Sequence, residues 1–204
     1  MLNLVLFGPP GAGKGTQSQK LIDHYQLIHI STGDLFRKHL GEGTELGQRA
    51  RSFMDAGQLV PDQLVIDMVD DILNEGNPAQ GRPAQGHQAQ GIIFDGFPRT
   101  IPQAKALDKL LDQHQTSIAG MIALSVPNEE LVQRIMLRGQ TSGRADDQDR
   151  AKIATRLEVY EKDTLPVAQY YQQQGKHAEI DGVGDIDEIF QNLVSTIESW
   201  RRES

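Results

Sequence analysis

Short apolar runs alternate with longer amphipathic stretches along the chain. The apolar runs predict five strands, at residues 2–7, 28–30, 91–94, 118–126 and 177–180. Between them, apolar residues recur at helical spacing and predict helices at residues 14–25, 101–113, 128–137, 150–174 and 186–200. Strands that alternate with crossover helices form a parallel sheet covered on both faces, so the pattern predicts an α/β sandwich.

Two segments depart from this alternation. Residues 32–74 are predicted to be helical throughout and lie between the second and third strands. They are longer than a crossover requires, which predicts a small helical subdomain that projects from the sheet. Residues 77–91 then repeat three units, NPAQG, RPAQG and HQAQG. This Pro-, Gly- and Gln-rich composition predicts a spacer loop, and a binding role for it stays open.

Composition limits the classes of function. A chain of 204 residues fits one domain, and 20 basic against 28 acidic residues give a net charge of −8, which argues against nucleic-acid and membrane partners. Without cysteine there are no disulfides, thiolate nucleophiles or cysteine-based zinc sites. The first apolar run ends at Phe7 and has no basic residue before it, unlike a signal peptide. We expect a soluble, cytoplasmic protein.

The clearest chemical motif is GPPGAGKGT, residues 8–16, between the first predicted strand and the first predicted helix. Its glycines allow backbone N–H groups to surround a phosphate at the helix N-terminus, and Lys14 can bridge the outer phosphates. Gly15 occupies the usual Ser/Thr position, and Thr16 follows one place later. We therefore expect Mg²⁺ to be held mainly by nucleotide phosphates and water, without a direct protein ligand.

Charged residues later in the chain allow two interpretations each. Asp95 ends the third predicted strand, where it can contact magnesium-bound water, as Thr16 can, or cap the next turn. Arg134 and Arg138 are spaced as on one helix face, and Arg144 and Arg156 follow closely. Alone, such arginines indicate a solvated surface, but four converging guanidinium groups need anions between them. Two nucleotides would supply those anions.

The loop GPPGAGKGT resembles the phosphate loop of the adenylate kinases, a branch of the nucleoside monophosphate kinases. Other matching segments follow in family order: STGD with Arg37, GQLVPD, FDGFPRT with Gln103, GRADD with Arg134, Arg138 and Arg156, and DGVGD. The resemblance implies a P-loop three-layer α/β sandwich with a five-stranded parallel sheet, formed by one domain over residues 1–204. It also implies an acceptor-binding subdomain at about 31–60 and a short lid at about 138–147.

The resemblance further implies the reaction ATP + AMP ⇌ 2 ADP with Mg²⁺, and it assigns residues. Those implied for ATP are Gly11, Ala12, Gly13, Lys14, Gly15, Thr16, Arg134, Arg138 and Gly184. Those implied for AMP are Thr32, Arg37, Gln58, Leu59, Val60, Gly96, Phe97, Pro98, Arg99, Gln103, Arg144 and Arg156. The implied catalytic residues are Lys14, Arg99, Arg138, Arg144 and Arg156. Arg144 and Arg156 are twelve residues apart, one more than the resemblance predicts.

Three alternatives remain at this point. A UMP/CMP kinase of the same fold is the nearest, although Thr32 and Gln103 favour adenine. Another P-loop small-molecule kinase is disfavoured by the STGD and GFPRT segments. A non-catalytic nucleotide-sensing module would be expected to lack Lys14 or the arginines of the lid, and none is missing. A short lid without cysteines predicts no zinc, and family analogy predicts a monomer.

Overall fold

A parallel sheet forms the centre of the computed structural model, which describes residues 1–74 and 89–203. Its strands are β1 (Asn3–Phe7), β2 (Leu27–Ser31), β3 (Gly91–Asp95), β4 (Ile118–Ser125) and β5 (His177–Asp181). They lie in the order β2-β3-β1-β4-β5, and every neighbouring pair is parallel. All five predicted strands are confirmed, with ends that differ by one residue at most.

Helices cover both faces of the sheet. One face packs against α1 (Lys14–Tyr25), α6 (Asn128–Gly139), α7 (Arg150–Val159) and α9 (Ile186–Glu203). The other packs against α2 (Thr32–Gly41), α3 (Glu45–Asp55), α4 (Asp62–Asn74), α5 (Ile101–Gln113) and α8 (Pro166–Gln172). The predicted three-layer sandwich is therefore confirmed.

Alternation along β1 explains why two cores form. Val5 and Phe7 point to one face, and Leu4 and Leu6 point to the other. Each is at most 4% exposed, as expected of a central strand with helices on both sides. The helices α2 and α3 share the first of these cores, because Leu35, Phe36 and Ala50 pack into the same cluster as Val5 and Phe7.

The prediction of unbroken helix over residues 32–74 was wrong. The structure has three helices there, and the interruptions coincide with glycines at positive φ, Gly43 at 66° and Gly57 at 72°. Thr44 is the N-cap of α3, where helix begins again, and its side chain accepts a hydrogen bond from Gly47 N at 3.2 Å. The second interruption matters most, because it contains Gln58, Leu59 and Val60 of the predicted AMP site.

The predicted helix at 150–174 is also interrupted. A π-helical segment, Tyr160–Thr164, separates α7 from α8, and Leu165 N donates to Tyr160 O at 2.8 Å. Pro166 follows directly and has no N–H for the regular helical bond, while its ring crowds the preceding turn. The wider turn relieves that conflict.

Most of the Ala-Gln-Gly repeat lies outside the described residues, so its interpretation as a spacer stays a prediction. At its end, Gln90 accepts a hydrogen bond from Leu2 N at 2.9 Å and donates to Gln26 O at 3.1 Å, and Gly91 begins β3. Among the helices of residues 1–74 and 89–203, none is both long and apolar enough to cross a membrane.

Candidate active site

A deep cleft of about 950 Å³ opens along the carboxyl ends of the central strands. Ligands bind at this edge of open α/β sheets, where the strand order reverses direction. Every residue that the sequence assigned to ATP, to AMP or to magnesium-bound water lines the cleft. Arg156 is among them, although its distance from Arg144 in the sequence is one residue longer than the resemblance predicts. Residues from widely separated parts of the chain thus meet at one place.

The phosphate loop connects β1 to α1 along the wall of this cleft. Gly8 has φ +139°, and a Cβ there would lie 2.8 Å from the carbonyl oxygen of Leu124. A side chain at this position would therefore be strained and would collide with β4. Lys14 begins α1, and its Nζ donates to Gly8 O at 2.8 Å and to Pro9 O at 3.0 Å. The loop thus holds an ammonium group at the helix N-terminus.

Lys14 and Asp95 form the electrostatic centre of the cleft. Burial lowers the pKa of Lys14 to about 8, and the negative charge of Asp95 partly opposes that shift. Burial by itself would raise the pKa of Asp95, but the His29 ring, with Nε2 at 3.8 Å from Oδ2, and the Lys14 ammonium lower it below its ordinary value. At neutral pH the cleft therefore contains a protonated lysine beside an ionised aspartate.

Arg99 belongs to the segment that follows β3, and its charge interacts with both Lys14 and Asp95. Its Nε donates to Gly96 O at 2.7 Å, and Thr32 Oγ1 donates to the same carbonyl at 2.8 Å. Burial and the nearby charge of Arg156 lower the pKa of Arg99 to about 10, so the guanidinium stays protonated at neutral pH. Ser31, rather than Thr32, caps α2, which leaves the Thr32 side chain on the cleft.

Gln103 lies at the wall that the sequence assigned to the AMP base. It is 1% exposed, and both ends of its amide have protein partners. Its Oε1 accepts from Arg99 N at 2.8 Å, and its Nε2 donates to Asp62 Oδ1 at 2.8 Å. The predicted base-facing residue is therefore also a structural link between α4, α5 and the Arg99 backbone.

Asp147 joins two of the lid arginines. Its fully buried carboxylate accepts from Arg138 Nε at 2.7 Å, from Arg138 Nη2 at 2.9 Å and from Arg156 Nη1 at 2.6 Å. Arg156 Nη1 also lies 2.8 Å from Asp146 Oδ2. Burial would raise the pKa of Asp147, but these hydrogen bonds and charges lower it, so Asp147 is ionised at neutral pH.

A second carboxylate connects the lid segment, residues 138–147, to α2. Asp34 Oδ1 lies 2.5 Å from Arg37 Nη2 and 3.5 Å from Arg144 Nη2. Burial and the charge of Arg37 lower the pKa of Arg144, which is the effect expected of two cations held close together. Arg37 and Arg144 therefore lie around one small anionic group, the carboxylate of Asp34.

The other end of the cleft is formed by the loop between β5 and α9. Arg134 Nη1 donates to Gly182 O at 3.0 Å while its Nε donates to Glu130 Oε1 at 2.8 Å. Gly184, with φ +126°, lines the cleft in the same loop. The predicted donor-base contacts, Arg134 and Gly184, therefore lie together at this end of the cleft, although they are 50 residues apart in sequence.

Several cleft residues were not predicted from the sequence. Gln17, Asp62, Tyr160 and Thr164 all line the cleft or bond to residues that do. Gln17 Nε2 donates to Ile186 O at 3.0 Å, which ties α1 to the loop that carries Gly184. Asp62 is the last residue of the GQLVPD segment that carries the resemblance, but the sequence gave it no role of its own. For Gln17 and the two residues of the π-helical segment, the sequence gives no signal beyond helix.

Comparison with known proteins gives a consistent result. The chain matches a family model described as adenylate kinase over residues 6–176. An adenylate kinase of Parabacteroides distasonis is 47% identical over 197 residues, covering 97% of this chain and 98% of the relative. One of Flavobacterium johnsoniae is 46% identical over 200 residues, covering 98% and 100%. One of Phocaeicola vulgatus is 44% identical over 198 residues, covering 97% and 99%.

Proposed function

The chain belongs to the adenylate kinase family, and we propose that it transfers the terminal phosphoryl group of ATP to AMP, reversibly, to give two ADP. One observation carries this proposal: a lysine of the phosphate loop and an arginine from the opposite wall point at the same region of the cleft. Lys14 and Arg99 are close enough that the charge of Arg99 lowers the pKa of Lys14, and both charges lower the pKa of Asp95. Two phosphate chains that meet there would be held from both sides.

ATP is assigned to the side of the phosphate loop. Backbone N–H groups of residues 11–16 and the Lys14 ammonium would hold its phosphates, since the N-terminus of α1 points into the cleft. Its base would lie near Arg134 and Gly184, which are already linked through the hydrogen bond from Arg134 to Gly182 O. Arg138 reaches the terminal phosphate from the lid.

AMP is assigned to the opposite side. Its phosphate would lie between Arg37, Arg99, Arg144 and Arg156, where Asp34 now balances two of these charges. Its base would lie against Gln58, Leu59, Val60 and Gln103, with Thr32 and residues 96–98 forming the floor. We further propose that the subdomain at 31–60 and the lid at 138–147 close on the two nucleotides. A monomer is the proposed functional state.

The chemistry then requires only positioning and charge. An oxygen of the AMP phosphate attacks the γ-phosphorus of ATP, and the bond from that phosphorus to the β–γ bridging oxygen breaks. Lys14, Arg99, Arg138, Arg144 and Arg156 stabilise the negative charge on the transferring group, and closure excludes water. The carboxylates of Asp34 and Asp147 orient four of the arginines, so the cations are held in place before substrate binds.

Magnesium fits this arrangement as a companion of ATP. Among the described residues, no group of three or more His, Asp or Glu side chains is placed to hold a metal ion by itself. The ionised Asp95 lies at the end of β3 beside Lys14, and Thr16 lines the same wall. These oxygens suit water molecules of a hydrated Mg²⁺. When bound, the ion neutralises part of the charge on the ATP phosphates.

Acceptor choice tests the proposal against a UMP/CMP kinase. We expect AMP to be preferred over UMP by ten- to several-hundred-fold in kcat/KM, because each unpaired buried polar group costs about 1–3 kcal/mol. Steady-state kinetics with AMP, CMP, UMP and GMP at fixed ATP would measure this. Gln103→Ala should reduce the preference more than it lowers kcat. Equal efficiency with AMP and UMP in the parent enzyme would contradict the adenylate assignment.

A further inference from the structure

Asp62 lies outside the assigned substrate contacts but bonds to one of the most buried of them, Gln103. It is the first residue of α4, directly after the turn that carries Gln58, Leu59 and Val60. Its Oδ1 accepts hydrogen bonds from Gln103 Nε2 at 2.8 Å and from Thr100 Oγ1 at 3.0 Å. The carboxylate therefore connects the base-side turn to the segment that carries Arg99.

These contacts determine which end of the Gln103 amide is oxygen and which is nitrogen. A carboxylate only accepts, so the amide group that faces Asp62 must be the NH₂. A backbone N–H only donates, so the group that faces Arg99 N must be the oxygen. Rotating the amide by half a turn would place oxygen against carboxylate and NH₂ against N–H. Both contacts would then become repulsive.

The fixed amide retains bonding capacity toward the cleft. One hydrogen of Nε2 is used by Asp62 and one lone pair of Oε1 by Arg99 N, which leaves one donor and one acceptor in a fixed order. A 6-aminopurine offers an amino donor beside a ring-nitrogen acceptor. A 6-oxopurine offers the reverse order, an oxygen acceptor beside a ring N–H donor. A fixed amide can match only one of these two patterns.

We infer that Asp62 is a positioning residue that sets acceptor specificity by fixing the orientation of Gln103, so that the enzyme accepts 6-aminopurine and rejects 6-oxopurine monophosphates. This inference rests on the proposed function, because it requires the acceptor base to lie against Gln103. Asp62 itself makes no contact with the substrate in this account. Loss of its carboxylate leaves only the Arg99 N–H to oppose rotation of the amide.

Asp62→Ala tests this inference through a ratio of substrates. The kcat/KM for AMP divided by that for inosine monophosphate, both measured with ATP as donor, is expected to fall about tenfold. The KM for ATP should stay within twofold of the parent value. Asp62→Asn should restore most of the preference, since its side-chain oxygen can still accept from Gln103 Nε2. The ratio is independent of the fraction of enzyme that is folded.

Two further variants control the experiment. Asp67→Ala removes a carboxylate of the same helix that accepts from an exposed glutamine, Gln63, and it should leave the ratio unchanged. Asp62→Ser keeps a residue suited to a helix start, yet its side chain is too short to reach Gln103. It should reproduce the loss even if Asp62→Ala does not fold.

The outcomes separate the inference from the function. A parent enzyme that forms no ADP from ATP and AMP overturns the proposed function. A parent that prefers AMP, with a ratio within twofold of the parent value in both Asp62→Ala and Asp62→Ser, overturns only the role of Asp62. A tenfold loss in both variants, together with recovery in Asp62→Asn, supports it.

Discussion

Replacing Lys14 with methionine is expected to lower kcat about 10³-fold or more without unfolding the protein. Removing one preorganised donor from a site of charge development typically costs 10²–10³ in rate, and Lys14 supplies a full charge as well. The methionine side chain has similar length, and no ammonium group then needs to be buried between Gly8 O and Pro9 O. The thermal unfolding midpoint should therefore change little.

Lys20→Met is the matched control for that substitution. Lys20 lies on the same helix but at its surface, where Nζ pairs with Asp187 Oδ1 at 2.5 Å. An exposed pair of this kind contributes little to stability and should not affect catalysis. Turnover and circular dichroism would be measured for both variants. A Lys14→Met enzyme with turnover within tenfold of the parent would contradict the role of Lys14.

Asp147→Asn is expected to lower kcat by about 10²-fold, because Arg138 and Arg156 lose the anion that fixes both guanidinium groups. The side-chain amide has the same shape, but its NH₂ faces donors that the carboxylate accepts from at 2.6–2.9 Å. Asp147 is fully buried, while the arginines are partly exposed. The free energy of unfolding should therefore fall by about 1–3 kcal/mol, less than for a fully buried pair.

Asp146→Asn provides the comparison for Asp147. Within the described parts of the chain, Asp146 forms its ion pair with Arg156 alone, at 2.8 Å, and its side chain is 23% exposed. We expect a loss of kcat of less than tenfold. Stopped-flow or coupled turnover assays and urea unfolding would measure both quantities. If Asp147→Asn and Asp146→Asn behaved alike, with kcat within threefold of the parent, the bridging role of Asp147 would be wrong.

The strands of the sheet could be predicted because each is encoded by a short run of neighbouring residues. Each strand is a short apolar run, and the helices between them have clear periodicity. The strand ends therefore agree to within one residue, and the ends of the uninterrupted helices agree to within three. The interruptions at Gly43, Gly57 and Pro166 were missed although their residue types are visible. Apolar spacing continues across Gly43 and Gly57, because the helices on both sides of these two breaks pack on the same core. Around Pro166 the two helices pack on opposite faces of the sheet, and the periodicity alone did not reveal the change.

In the site, too, features encoded by neighbouring residues could be predicted, and contacts between distant residues could not. The phosphate loop is contiguous, so its nine adjacent residues, 8–16, are enough to predict both the loop geometry and a phosphate ligand. Other contacts of the cleft join residues that are far apart in sequence: Asp62 and Gln103 are 41 residues apart, and Gln17 and Ile186 are 169 apart. No spacing rule connects such pairs. The resemblance therefore identified the cations of the cleft and also implied that Asp146 and Asp147 orient the arginines. The structure was needed to find the contacts of Asp34, Asp62 and Gln17.

The most direct test of the account is the product stoichiometry of the purified enzyme with ATP, AMP and Mg²⁺. Phosphorus NMR would follow every phosphate at once, with Lys14→Met as the inactive reference. We predict that two ADP form for each ATP and AMP consumed, that the reaction reverses when ADP alone is supplied, and that no inorganic phosphate accumulates. Consumption of ATP with release of inorganic phosphate and unchanged AMP would contradict the central claim.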